Sequence, residues 1–149
     1  GAICGSRQLI DLLINRARPL IYSTAPPPAT AAMAHAAIDL IRRQEGEQRR
    51  QRLWAMVENL KTMFIEAGQN PGIVRSPIIP LILGDEADTM QIAGQLLAAG
   101  IHVPGIRYPT VAKGRARLRF TITAQHTLDD LAKLREALAG LETARSGDA

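Results

Sequence analysis

The sequence is poor in the residues from which most self-contained active sites are built. It has one cysteine, Cys4, so an internal disulfide is excluded. Its histidines, His35, His102 and His126, are too scattered for a zinc cluster. Aromatic residues make up 3%, too few to stack the bases of a single strand, and no nucleic-acid partner is expected. No apolar run reaches the roughly 18 residues that a membrane span needs. No basic-then-apolar leader opens the residues given. The expectation is therefore no membrane partner and a cytoplasmic location. The nucleophile elbow, the Walker loop, the dinucleotide fingerprint and the metal motifs are all missing. So are internal repeats and low-complexity segments.

What is present is a globular balance. The chain has 149 residues, 46% hydrophobic and 21% charged, enough for one domain or part of a larger one. The net charge is +4, and the only lysines are Lys61, Lys113 and Lys133, so fifteen of the eighteen cations are arginine. Arginine suits planar carboxylates and phosphates better than diffuse charge does.

The opening Gly1-Ala2-Ile3-Cys4-Gly5 reads as a strand end, with Cys4 a small buried side chain. Ser6 then caps a helix whose Leu9, Leu12, Leu13 and Arg16 share a face, and Pro19 ends it. A strand feeding a helix at the first residue suggests a piece of a larger α/β protein. Pro27 or Pro28 starts an Ala-rich helix running to about residue 44. Gly46 weakens the pattern, which resumes through Leu53, Val57, Leu60 and Phe64 to Gly68, as a second helix or as the continuation of one long bent rod. Arg42, Arg43, Arg49, Arg50 and Arg52 read as a solvated face. Beyond a turn at 69–72 the order is β-α-β-β-α. Strands are expected at 78–83, 101–103 and 116–124, with a helix over 86–99 between the first two. The capping box Thr127–Asp130 opens a last helix carrying Leu131, Leu134, Leu138 and Leu141, and residues 142–149 read as a frayed tail. This is a small α+β unit with a short, mainly antiparallel sheet.

Two features could bind anions. Ser23-Thr24 precedes a proline-led helix, where hydroxyls, free N–H groups and the helix dipole favour a phosphate; from the residues alone an ordinary N-terminal cap is the simpler reading. Arg117 and Arg119, at i and i+2, share the polar face of the last strand. There, either could clamp a carboxylate or simply be solvated. The three histidines are read as structural.

Four motifs add a resemblance. Tyr-Ser-Thr-Ala-Pro-Pro-Pro (22–28), Ser-Pro-Ile-Ile-Pro-Leu-Ile-Leu-Gly-Asp (76–85), Ile-Arg-Tyr-Pro-Thr-Val (106–111) and Ala-Arg-Leu-Arg-Phe-Thr-Ile-Thr-Ala-Gln-His-Thr (116–127) occur in that order. Together they resemble the C-terminal part of the α-oxoamine synthases, pyridoxal-phosphate enzymes of fold type I. The resemblance runs from Gly1 to about Leu141. It implies an α/β fold in which 1–45 ends the large cofactor domain and starts a linking helix, while 46–149 form the small C-terminal domain. It implies an acyltransferase that joins an amino acid to an acyl thioester with loss of carbon dioxide. The wording lies nearest the biotin-pathway member, which takes L-alanine and a pimeloyl thioester carried by coenzyme A or a carrier protein. Sister enzymes take glycine or serine. A chain made alone would instead be a dimerisation or anion-binding module.

By the same resemblance Arg119 holds the substrate carboxylate. Thr24, with Ser23, reaches the cofactor phosphate of a neighbouring subunit, so a homodimer with a shared site is implied. The cofactor lysine, the aspartate on the pyridine nitrogen and the histidine on the ring all match positions before Gly1, which leaves no catalytic residue in this chain. Tyr108-Pro109-Thr110-Val111-Ala112 replaces the family's Pro-Pro-Thr-Val-Pro and leaves acyl-chain preference open.

Overall fold

A computed structural model describes residues 3–146, with side chains described through residue 140. It divides into two compact units, 1–43 and 44–149.

The first unit is helical: α1 (Arg7–Arg16), α2 (Arg18–Ile21) and α3 (Pro28–Arg42). Ser6 caps α1 as expected, its Oγ accepting from the Leu9 N–H at 3.3 Å. Pro19 does not end α1. That helix stops at Ala17, and Pro19 sits in the first turn of α2, where its missing N–H costs nothing. Gly1 and Ala2 lie outside the described residues. Ile3 and Cys4 form no strand, and Cys4 is exposed rather than buried. A strand needs a neighbour to pair with, and none occurs among the described residues of this unit. No described side chain of the unit is buried; Leu12, Ile14, Met33 and Ile38 are each more than half exposed.

The helix break falls at Arg43, whose backbone is extended, and not at Gly46. Gly46 lies in the first turn of α4 (Gln44–Glu66), the start of the second unit. Glu45 and Glu47 favour a helix N-terminus and pair with Arg49 and Arg50, each at 2.6 Å, which offsets the glycine. Left-handed Gly68 closes α4 by letting the Gln69 N–H donate to the Phe64 carbonyl at 2.8 Å.

There follow β1 (Ile78–Gly84), α5 (Glu86–Ala98), β2 (Gly105–Ile106), β3 (Ala116–Thr121) and α6 (Leu128–Ser146). The sheet order is β1-β3-β2 with both pairings antiparallel. Pro80 therefore sits on an edge strand, where its missing donor is tolerated. The strand expected at 101–103 is absent. Ile101 and Val103 spend their apolar side chains on the core, and pairing with β3 begins only at the Pro104 carbonyl, which accepts from the Arg119 N–H at 3.0 Å.

The alternation in β3 holds: Ala116, Leu118, Phe120 and the following Ile122 are buried. Leu118, Phe120 and Ile122 share one core with Val57, Leu60 and Phe64 of α4, Ile92 and Leu96 of α5, and Leu131 and Leu134 of α6. The Phe64 and Phe120 rings meet edge to face with centroids 5.0 Å apart. Arg117, Arg119 and Thr121 take the other face of the sheet. Leu138 is half-buried, whereas the Leu141 side chain lies outside the described ones. The backbone of the expected tail stays helical to Ser146, and 147–149 lie outside the described residues.

The capping box is complete. The Thr127 N–H donates to Asp130 Oδ2 at 2.8 Å, and the Asp130 N–H donates to Thr127 Oγ1 at 3.3 Å. The Thr127 N–H and hydroxyl together hold the Asp130 carboxyl below the ordinary carboxylate range. A carboxylate depressed by folding stabilises above its unfolded pKa, and that contribution is lost as pH falls through the folded value. Acidification is thus expected to loosen the start of α6 first. Protection of the amides at residues 127–131, measured against their unstructured exchange rates, should fall below the carboxylate range, and Asp130→Asn should remove the pH dependence of that protection.

Candidate functional site

β3 presents Arg117 and Arg119 on the face away from the core, and the structure separates their roles. The Arg117 side chain is half-buried and its Nε donates to the Arg115 carbonyl at 3.0 Å. The Arg119 backbone is pinned on both sides, opposite Pro80 of β1 and bonded to Pro104. Its guanidinium is exposed and takes no partner among the described residues. A rigid strand therefore carries a fork of donors with all its hydrogen bonds to offer. Such a fork engages a carboxylate through two parallel charge-assisted bonds.

Arg119 borders an open cleft of about 890 Å³, shared with His102, Val103, Thr121, His126 and Lys133. His126 is structural there: its Nδ1 accepts from the Thr123 N–H at 3.1 Å. His102 is exposed, and His35 faces Asp39 at 3.5 Å on the surface of α3. Sequence reasoning assigned nothing to Lys133. It lies on α6 seven positions beyond His126, too far along the chain for a motif to reveal.

Ser23 and Thr24 belong to the first unit. Ser23 Oγ donates to the Leu20 carbonyl at 2.9 Å and so closes α2. Thr24 is exposed and its hydroxyl takes no partner among the described residues. The cap of α3 is Pro27, not either hydroxyl. The amide supply expected at this helix start is also smaller than the sequence suggested. Pro27 and Pro28 have no N–H, while those of Thr30 and Ala31 turn back to the Pro27 carbonyl at 3.0 and 3.3 Å. That leaves Ala29 as the open amide of the first turn, so an anion here depends on the hydroxyls.

None of the lysines is buried. Lys61 meets Glu58 at 3.1 Å, and Lys113 lies 5.4 Å from the centroid of the exposed Tyr108 ring. Lys133 is exposed on α6. Among the described residues no group of His, Cys, Asp and Glu is placed to hold a metal ion.

The second unit is thus an antiparallel sheet backed by helices, with an arginine fork on its open face. The family model for aminotransferase class I and II matches residues 1–138. The chain belongs to that family, and its fold is that of the fold type I pyridoxal-phosphate enzymes.

A Desulfovibrio desulfuricans protein provisionally described as an 8-amino-7-oxononanoate synthase is 47% identical over 146 residues, covering 95% of this chain and 37% of the relative. The 8-amino-7-oxononanoate synthase of Symbiobacterium thermophilum is 39% identical, covering 93% of this chain and 35% of the relative. Among solved structures, a Sphingomonas wittichii serine palmitoyltransferase superposes with a TM-score of 0.81 at 25% identity, covering 93% of this chain and 35% of that one. The Francisella tularensis 8-amino-7-oxononanoate synthase superposes at 0.76 with 23% identity, over 97% of this chain and 41% of that one. The chain spans little more than a third of the length of the curated relatives it matches.

Proposed function

We propose that this chain is the C-terminal part of a pyridoxal-phosphate-dependent 8-amino-7-oxononanoate synthase. The reaction joins L-alanine to a pimeloyl thioester, releases carbon dioxide and the free thiol, and belongs to biotin synthesis. The observation that carries this reading is the open Arg119 fork on β3, in a chain 39–47% identical to relatives of that name. In this reading residues 1–45 complete the large domain and 46–149 are the small one. The uncovered apolar side chains of α1 and α3 are then covered by the rest of a longer polypeptide. Turnover would take place in the cytoplasm; no helix among the described residues is long and apolar enough to cross a membrane.

The residues present fit part of the cofactor. The open Thr24 hydroxyl, with Ser23 beside it, suits a phosphate, and no lysine here suits the covalent linkage. When bound, pyridoxal phosphate supplies an electron sink for the carbon beside the amino-acid nitrogen. This chain's task is to position. Arg119 holds the amino-acid carboxylate and so fixes which bond of the α-carbon faces the chemistry. Thr24 offers its open hydroxyl to the phosphate across the interface of a homodimer, and Ser23 beside it holds the turn through its bond to the Leu20 carbonyl, or joins the phosphate by giving that bond up.

Replacing both Ser23 and Thr24 by Ala in the full-length dimer is expected to weaken cofactor retention about tenfold, the worth of one hydrogen bond to a charged group. Equilibrium dialysis of pyridoxal phosphate measures it, with circular dichroism to show that the fold persists. Mixed dimers pairing one parent and one variant subunit should lose one of two sites. Retention equal to the parent's would reduce these residues to local caps. Assays with alanine, glycine and serine in turn read the amino-acid choice, and a preference for either of the latter two moves the chain to a sister activity.

A further inference from the structure

The cleft beside β3 carries a row of donors along one wall. N–H groups alternate sides along a strand. The Ile122 N–H points toward β1 and donates to the Pro77 carbonyl at 2.9 Å, whereas the Arg119 N–H points the other way, to the Pro104 carbonyl at 3.0 Å. Thr121 and Thr123, two and four positions beyond Arg119, therefore turn their N–H groups into the cleft that they line. The Thr123 N–H is met there by His126 Nδ1 at 3.1 Å. The Thr121 N–H has no partner among the described residues, because the segment before Pro104 no longer pairs with β3.

His126 spends only one of its nitrogens on that bond. A neutral imidazole that accepts at Nδ1 carries its proton on Nε2, so the ring keeps a free donor on the cleft wall. Lys133 of α6 lines the same cleft and is exposed. The one acid of the lining is Asp130, which His126 and Lys133 both lie close enough to influence. Its Oδ2 is taken by the Thr127 N–H and hydroxyl at 2.8 and 2.9 Å. Arg119 and Lys133 outnumber it, so the cleft is cationic. The remaining wall is apolar, made by Ile101, Val103, Phe120, Ile122 and Leu131.

This combination selects the ligand. A bare phosphate would leave the apolar wall wet, and a plain fatty chain would leave the donors without acceptors. A run of methylene groups ending in a carboxylate satisfies both, and the volume of about 890 Å³ lies in the range of small-ligand sites. Arg119 stands at one end of the row. Thr123, which fixes His126, lies about 13 Å further along an extended strand. An acyl group whose thioester meets the amino acid at Arg119 would turn its far end toward His126 and Lys133.

We propose that this cleft is an acyl-chain subsite in which Lys133, the His126 Nε2–H and the Thr121 N–H hold the far carboxylate of a dicarboxylic acyl thioester. This rests on the acyl-transfer reading above. The test uses the full-length protein loaded with pyridoxal phosphate and compares kcat/KM for pimeloyl and heptanoyl thioesters of the same thiol, which differ in the end carboxylate. The ratio of the two is expected to fall at least about tenfold in Lys133→Gln, the worth of one hydrogen bond to a charged group, and further in Lys133→Glu. Lys133→Arg, which keeps the charge, should retain most of the ratio. His126→Asn keeps an acceptor for the Thr123 N–H and removes the Nε2 donor, so it should lower the ratio as well.

An unchanged ratio in Lys133→Gln overturns the proposal, and so does an equal loss with both thioesters. If the parent makes no product, calorimetric titration with pimelate and heptanoate decides instead. Pimelate binding that exceeds heptanoate binding and is lost in Lys133→Gln leaves the subsite standing and removes the acyl-transfer reading. Equal binding of the two acids, or pimelate binding unaffected by Lys133→Gln, overturns the subsite.

Discussion

Arg119→Lys in the full-length protein is expected to raise the KM for alanine about ten- to a hundredfold. The substitution keeps the charge and loses the fork, so what disappears is the second, parallel hydrogen bond to the carboxylate. Bonds to charged groups of this kind are worth roughly 1.5–3 kcal/mol. The strand itself should be undisturbed, because Arg119 is held there by its backbone: it pairs opposite Pro80 and bonds to Pro104 through the main chain. Arg117→Lys is the control. It shares the strand face and the charge, but its Nε is committed to the Arg115 carbonyl, so alanine binding should change little. Alanine titrations of the parent and the two variants separate the possibilities. Equal losses from both positions would mean a general field and not a clamp.

The second large effect is on stability. Phe64→Ala is expected to destabilise the second unit by about 3–5 kcal/mol, the usual cost of emptying a buried aromatic site. Phe64 is 1% exposed and meets Phe120 edge to face, so it joins α4 to the strand that carries Arg119. Small domains are stable by only about 5–15 kcal/mol, so this one change removes a large share of the total. Ile65, the next residue on α4, is 57% exposed, and Ile65→Ala should cost less than about 0.5 kcal/mol. Urea unfolding followed through Trp54, the single tryptophan, reads both variants. Similar midpoints for the two would place α4 outside the core.

Where the sequence was legible, one physical cause dominated. The alternation Ala116, Leu118, Phe120, Ile122 announced both β3 and the outward arginines, because a strand with one buried face has no other way to arrange them. Thr127 and Asp130 announced the start of α6, because a capping box is chemistry within four residues. The misplacements arose where two causes competed. Gly46 looked like a weak point of the helix, but the acid–arginine pairs beside it hold the first turn of α4, and the chain breaks at Arg43. Ile101 and Val103 looked like a strand because their side chains go to the core, while pairing starts at Pro104.

The Ser23-Thr24 segment was legible in composition and not in geometry. The missing amides of Pro27 and Pro28 are plain from the residues, but only the folded backbone shows that the Thr30 and Ala31 amides turn back to the Pro27 carbonyl.

The most direct test of the account is the product of the full-length protein. It is incubated with pyridoxal phosphate, alanine labelled with carbon-13 in its carboxyl group, and a pimeloyl thioester, and the mixture is read by mass spectrometry. The account predicts unlabelled 8-amino-7-oxononanoate with the label released as carbon dioxide, and loss of both when Arg119 is replaced by Ala. Label retained in the product, or undiminished product from the Arg119→Ala protein, would contradict it.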